Sequence, residues 1–234
     1  MRIPMTLAAA ALLAACAKKD ENSAPPADTS APPAAAPAAS DDPDRSAGGS
    51  GVPAGYVGRT DRAGQNIADA KYTVNGNAWE VTTGPAHVVY AAKDSARGTY
   101  TATAVIEQLE APQHPEAYGI FIGGQNLDQS SQRYTYFVVR GGGEYLVRVR
   151  DGEQTRTVAD WKASDAVPKA DQAGKAKYQL AARVGADSVR FLVNDRPVVA
   201  VAKSAVPTDG IAGLRINHNL HVRVEPVVVT KGGK

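Results

Sequence analysis

From Tyr56 onward, apolar and polar residues alternate along the chain with a period of two. Tyr100, Ala102, Ala104 and Ile106 are interleaved with Thr99, Thr101 and Thr103, and Tyr178, Leu180, Ala182 and Val184 with Lys177, Gln179 and Arg183. The same alternation runs through Val189, Phe191 and Val193, and again through Leu220, Val222 and Val224. Successive side chains of a strand leave on opposite sides, so each run buries one face and wets the other. Helical spacing is scarce. The best window for it, Asp160 to Val167, predicts no more than a short turn.

The residues between the runs agree with this pattern. Asn75-Gly76 and Asp151-Gly152 predict tight hairpins, whose tips need positive φ. Gly141-Gly142-Gly143 joins the run ending at Arg140 to the one starting at Glu144. Asn194-Asp195-Arg196-Pro197 separates two further runs, and Asp209-Gly210 precedes another. About a dozen short strands at regular spacing predict an all-β sandwich or barrel. A last run rich in valine (Val222, Val224, Val227 to Val229) suits a jelly-roll sandwich of two antiparallel sheets.

The N-terminus follows other rules. Arg2 precedes an apolar stretch, Ile3 to Ala15, that falls short of the roughly 20 residues needed to span a bilayer. Its length and charged flank are those of a signal peptide. Leu13-Ala14-Ala15-Cys16 resembles the lipobox of bacterial lipoproteins. That resemblance implies a signal peptide over residues 1–15, acylation of Cys16, and membrane attachment without a transmembrane helix. Ala17 and Lys18 follow the cysteine, where an Asp would signal inner-membrane retention in that family. The expected location is therefore the cell envelope, lipid-anchored at the outer membrane of a Gram-negative bacterium. Residues 16–55 hold Ala-Pro tracts, an acidic stretch and a Gly-Gly-Ser-Gly piece, with no aromatic, Ile or Leu. Such a segment buries too little to order itself and is expected to be a disordered tether, with a reach on the order of 30–40 Å. The folded domain is expected over 56–234.

Charge and cysteine content narrow the classes. Twenty-six basic against 24 acidic residues give a net charge of +2, far from the excess of a nucleic-acid binder. Export argues against nucleic acid as well. With Cys16 the single cysteine, the domain contains no internal disulfide.

Tyr118-Gly119-Ile120-Phe121-Ile122-Gly123-Gly124-Gln125-Asn126, Tyr134 to Arg140, Trp161, Val193-Asn194-Asp195 and Thr208 to Arg215 together resemble the concanavalin A-like lectin/glucanase superfamily. The likeness spans roughly residues 72–230, and is strongest to the bacterial laminin-G-like and 3-keto-disaccharide-hydrolase-like branches. It implies a jelly roll with one concave sheet, often used for sugars. Glucanases of this superfamily carry Glu-x-Asp-x-(x)-Glu on one strand, and a retaining pair must lie about 5–5.5 Å apart. The pattern is missing here. Glu107 and Glu110, the nearest approach, are three apart and fall on opposite strand faces, as solvated surface. No catalytic residue is assigned.

Metal chemistry has no local signature either. None of His87, His114, His218 and His221 is spaced with Cys or a second His as ligands usually are. His218 and His221 approach only if Asn219 turns the chain. No Gly-x-Ser-x-Gly elbow is present, and Gly141 to Gly143 lacks the helix that a phosphate cradle needs. Laminin-G-like relatives hold calcium on oxygen ligands. Asp128, Asp151, Asp187 and Asp209 are loop acids without an Asp-x-Asp repeat, so no metal or cofactor is assigned and calcium stays open.

One face remains as a binding candidate. Phe137, Val139, Tyr145, Val147 and Val149 share the core parity of the central hairpin. Tyr134, Tyr136, Arg140, Glu144, Arg148 and Arg150 then point the other way, with Tyr118, Gln125 and Asn126 at the border. Aromatic rings beside charged groups suit a sugar, whose C–H face stacks on a ring while its hydroxyls reach polar atoms. Cross-strand Tyr and Arg also occur simply as exposed sheet surface. Trp79 and Trp161 read as core or rim anchors. Three functions stay open. The first is a non-catalytic lectin-like module that binds a glycan or another envelope component. The others are a glycoside or 3-keto-disaccharide hydrolase, and a structural or protein-interaction lipoprotein.

Overall fold

The computed structural model describes Asp42 and residues 44–232. The expected signal peptide, the expected lipidation site Cys16 and the expected tether as far as Asp41 lie outside the described residues.

Strands β1 (Val57–Thr60), β2 (Lys71–Asn75), β3 (Ala78–Thr82), β4 (His87–Ala96) and β5 (Tyr100–Gln108) come first. Next are β6 (Ala117–Gln125), β7 (Arg133–Arg140), β8 (Glu144–Asp151), β9 (Gln154–Ala163) and β10 (Ala176–Val184). The chain ends with β11 (Ser188–Val193), β12 (Arg196–Ala202), β13 (Gly210–Ile216), β14 (His221–Val224) and β15 (Val228–Lys231). One sheet has the order β1-β4-β13-β6-β7-β8-β9, and the other β12-β11-β10-β5-β14-β3-β2, with β15 also on β5. Every pairing is antiparallel. Two antiparallel sheets form a jelly-roll sandwich, as the alternation predicts.

The turns form with one adjustment. Gly76 and Gly152 supply the positive φ, while Asn75 and Asp151 stay in register with Ala78 and Gln154. At the β11–β12 hairpin both tip residues, Asn194 and Asp195, have positive φ (50° and 63°), which a two-residue turn tolerates best in Asn, Asp or Gly. The turn expected at Asp160 to Val167 is corrected. β9 continues to Ala163, and only a bend closed by Val167 N–H donating to the Ser164 carbonyl follows. The boundary at Tyr56 also moves. Ala47 N–H donates to the Asp69 carbonyl at 2.8 Å, and a Cβ on Gly49 would collide with the Ala70 carbonyl, so the packed body begins near Asp44.

The interior lies between the sheets. Phe137 and Phe191 meet across it at 5.1 Å, Tyr118 and Tyr178 at 6.1 Å, and Val149 and Val222 belong to the same cluster. Burying one such ring contributes on the order of 2–3 kcal/mol. The seven-stranded sheet also hides its other face. Val88, Tyr90, Phe121, Leu127, Tyr134, Tyr136, Val138 and Leu146 form a second, smaller cluster there. Gly213 makes it feasible, since a Cβ at that position would strike the Phe121 ring and the Val89 carbonyl. Arg59 covers this face by donating to the carbonyls of Leu127 and Gln129 on the β6–β7 loop.

Phe137→Ala is expected to cost about 3–5 kcal/mol, seen as a lower urea midpoint at unchanged slope. A loss well under that would mean the two sheets do not share this interior.

Candidate functional site

Beside the second cluster, the outer face of the seven-stranded sheet holds a depression of about 330 Å³. β7 and β8 supply its floor through registered pairs, Tyr134 with Arg150 and Tyr136 with Arg148. β9 adds Thr155 and Trp161, β13 adds Arg215, and the turns after β1 and β13 add Asp61 and Asn217.

Arg215 governs the electrostatics. Its side chain is 8 % exposed, on a strand in the middle of the sheet. Both terminal nitrogens donate to the Asp61 carboxylate, and the guanidinium lies 5.6 Å from the Tyr136 ring centre. Burial by itself would raise the Asp61 carboxyl. The charge and hydrogen bonds of Arg215, helped by Arg150, outweigh it and hold Asp61 below the ordinary range. Arg150 donates through Nε to the Gly152 carbonyl at 2.6 Å. Nε of Arg148 and Nε of Arg215 are buried with no hydrogen-bond partner. An unpaired buried donor costs about 1–3 kcal/mol, and more when charged. The groove thus carries three guanidinium groups against one carboxylate, with two donors unused.

Of the residues that sequence parity proposes, Tyr134, Tyr136, Arg148 and Arg150 do meet in this groove. Their rings are not an open platform, because Tyr134 is 1 % and Tyr136 8 % exposed. Tyr118 is corrected outright. It is fully buried between the sheets against Tyr178. Asn126 sits in the turn after β6 with φ 50°, outside the groove lining. Arg140 pairs with Glu144 at 2.6 Å and lies 4.4 Å over the Trp161 ring, so it flanks the groove through that indole. Asp61, Arg215 and Asn217 were not foreseen. A lone Arg inside the apolar run Gly210 to Ile216 was the available signal for the first pair.

The remaining candidates scatter. Glu107 pairs with Arg223 at 3.3 Å and Glu110 with His221 at 3.3 Å, on the eight-stranded sheet and its edge. His221 also meets Glu80 at 2.9 Å and therefore stays apart from His218. Among the described residues, Asp128, Asp151, Asp187 and Asp209 do not gather into a ligand group. Among the described residues, only His114, Glu116 and His218 bring three ligating side chains within 4.8 Å of one another.

Solved structures share this architecture. A carbohydrate-binding module, CBM66, from Bacillus subtilis superposes with a TM-score of 0.53 at 12 % identity, over 76 % of this chain and 96 % of that one. A B. subtilis protein of unknown function with a galectin-like fold gives 0.54 at 10 % identity, over 75 % and 89 %. The shared fold is a jelly-roll β-sandwich of two antiparallel sheets. No protein-family model matches the sequence, and no curated protein matches it.

His87 is a buried titratable group outside the groove lining. It is fully buried on β4, with Nδ1–H donating to the Pro85 carbonyl at 2.8 Å and Nε2 accepting from the Tyr72 hydroxyl at 2.5 Å. Burial pushes the imidazole down to about 4, against 6.5 for a free histidine. The unfolded chain therefore takes up the extra proton first, and stability falls as pH drops from about 6.5 to about 4. Asp61 acts in a lower window, its contribution being lost only below the ordinary Asp range. Urea titrations at pH 7 and pH 4.5 should show a loss of roughly 2–3 kcal/mol that His87→Gln largely removes. An equal loss in the variant would assign the effect to other groups.

Proposed function

We propose that this chain is a non-catalytic glycan-binding module whose outer groove takes an acidic saccharide, and that lipid on Cys16 displays it from a bacterial membrane. The lining of the groove, with Arg148, Arg150 and Arg215 set against the one carboxylate of Asp61, carries this reading. A sugar carboxylate or sulfate offers charge-assisted acceptors to guanidinium groups that line the groove, and such bonds are roughly twice as strong as neutral ones. The surplus of guanidinium over carboxylate in the groove favours the same ligand class. Trp161, with the Arg140 guanidinium over its ring, adds aromatic surface to the same lining. The fold shared with a carbohydrate-binding module and a galectin-like protein is in keeping with the reading without establishing it. Asp61 is the single carboxylate lining the groove and is committed to Arg215, so two-carboxylate hydrolysis has no pair there. Membrane display rests on the Leu-Ala-Ala-Cys sequence at residues 13–16 and the short apolar stretch before it.

Calorimetry of the purified full chain with matched neutral and uronate-containing oligosaccharides tests the ligand class. The acidic series should bind, weakening as salt rises, and Arg148→Gln should lower affinity at least about tenfold with little change in melting temperature. Equal affinity for the neutral series, or binding untouched by Arg148→Gln, defeats the proposal. Products released from these sugars or from 3-keto disaccharides would make the module an enzyme instead. Cys16→Ser should abolish incorporation of labelled palmitate and move the chain to the soluble fraction. Unchanged labelling would remove the lipoprotein reading alone.

A further inference from the structure

We infer that His114, Glu116 and His218 form a binding site for a divalent transition-metal ion of the zinc class. His114 and Glu116 lie on the β5–β6 loop, and His218 on the β13–β14 loop. Backbone bonds hold the loops together, with Asn217 N–H donating to the Ala117 carbonyl at 3.1 Å and Leu109 N–H to the His221 carbonyl at 2.9 Å. Asn219, in the left-handed region at φ 55°, turns the second loop back toward β14. The result is a convergence of two imidazoles on one carboxylate oxygen. His218 Nε2 lies 2.8 Å and His114 Nε2 3.0 Å from Glu116 Oε1.

These contacts set His218 between two carboxylates. His218 also has Nδ1 2.8 Å from Asp44 Oδ1, so each ring nitrogen faces a carboxylate. A neutral imidazole donates from one nitrogen only, and the other presents a lone pair. With Nδ1–H donated to Asp44, the Nε2 lone pair of His218 faces an oxygen of Glu116, and His114 Nε2 converges on the same oxygen. Two imidazole nitrogens and a carboxylate oxygen converging on one point are the donor set of a metal ion. Tetrahedral zinc at about 2.0–2.1 Å from each ligand sets neighbouring donors roughly 3.3 Å apart, so the side chains need to spread by only a few tenths of an ångström.

The surroundings are those of a supported site. Metal-bound histidines usually give their other nitrogen to a carboxylate or an amide, which fixes the ring and its tautomer. Asp44 does this for His218. The Asn217 amide donates to Glu116 Oε2 at 2.9 Å, steadying the carboxylate and leaving Oε1 for the ion. Glu116 is buried while His114 stays exposed, so an ion has a route in from solvent. Two imidazoles and one carboxylate suit zinc, cobalt, nickel or iron(II) better than calcium or magnesium. Three protein ligands also leave a coordination position for water or a ligand oxygen.

Zinc and cobalt titrations of the untagged full chain test this independently of the groove reading. One Zn²⁺ per chain should bind with micromolar or tighter affinity, and Co²⁺ should give visible ligand-field bands that Zn²⁺ displaces. His218→Ala and Glu116→Gln should remove those bands or weaken binding about 100-fold. Asp44→Asn, a positioning change, should weaken it about 10–100-fold while keeping the band pattern. His114→Ala alters an exposed side chain and keeps the test decisive should His218→Ala fail to fold. No saturable binding, or binding and bands unchanged in His114→Ala and Glu116→Gln, overturns the site.

Discussion

Neighbouring residues on β6, β7 and β13 must be hidden on opposite sides of one sheet, and this double burial governs the rest of the molecule. On the inner side Tyr118, Phe137 and Leu214 meet the eight-stranded sheet. On the outer side Phe121, Tyr134 and Tyr136 need a cover of their own, which Leu127, the bonds from Arg59 and the Asp61–Arg215 pair provide. The cover stops short of β8 and β9. Arg148, Arg150 and Trp161 therefore line an open depression at the margin of a packed face. The groove follows from where the outer packing ends.

The Asp61–Arg215 pair belongs to the same economy. A guanidinium on a central strand, nine-tenths buried, is tolerable only with its countercharge in place, and removing one partner of such a pair commonly costs about 3–5 kcal/mol. Asp61 lies in the turn after the edge strand β1, so that turn is tied to the centre of the sheet by charge rather than by ladder hydrogen bonds. The arrangement fixes one wall of the groove and leaves Nε of Arg215 without an internal acceptor.

The fold was legible because most strands alternate cleanly, and the hairpin turns carry Gly, Asn or Asp where the backbone needs them. β6 shows where that reading fails. Ala117 to Gly124 is apolar or glycine throughout, so its parity cannot be taken from the pattern, and Tyr118 was assigned to the wrong face. For Tyr134 and Tyr136 the parity was right and the exposure wrong, because the groups that close over them, Arg215 and Asp61, are remote in sequence. Distance along the chain hides the rest. Asp61 and Arg215 are 154 residues apart, and Glu116 and His218 are 102 apart. A search for ligand spacing within one segment does not find a cluster assembled from two loops and the N-terminal stretch at Asp44.

The two tryptophans occupy unlike surroundings. Trp79 is sealed in the interior with Tyr56 and Tyr72 around it, whereas Trp161 stands half-buried at the groove under the Arg140 guanidinium. Light emitted by the chain is therefore the sum of a constant signal and one that answers to whatever enters the groove. A change confined to the more solvent-shifted component marks occupancy, and a joint red shift of both marks unfolding. The protein carries its own optical probe, with an internal reference, and needs no label.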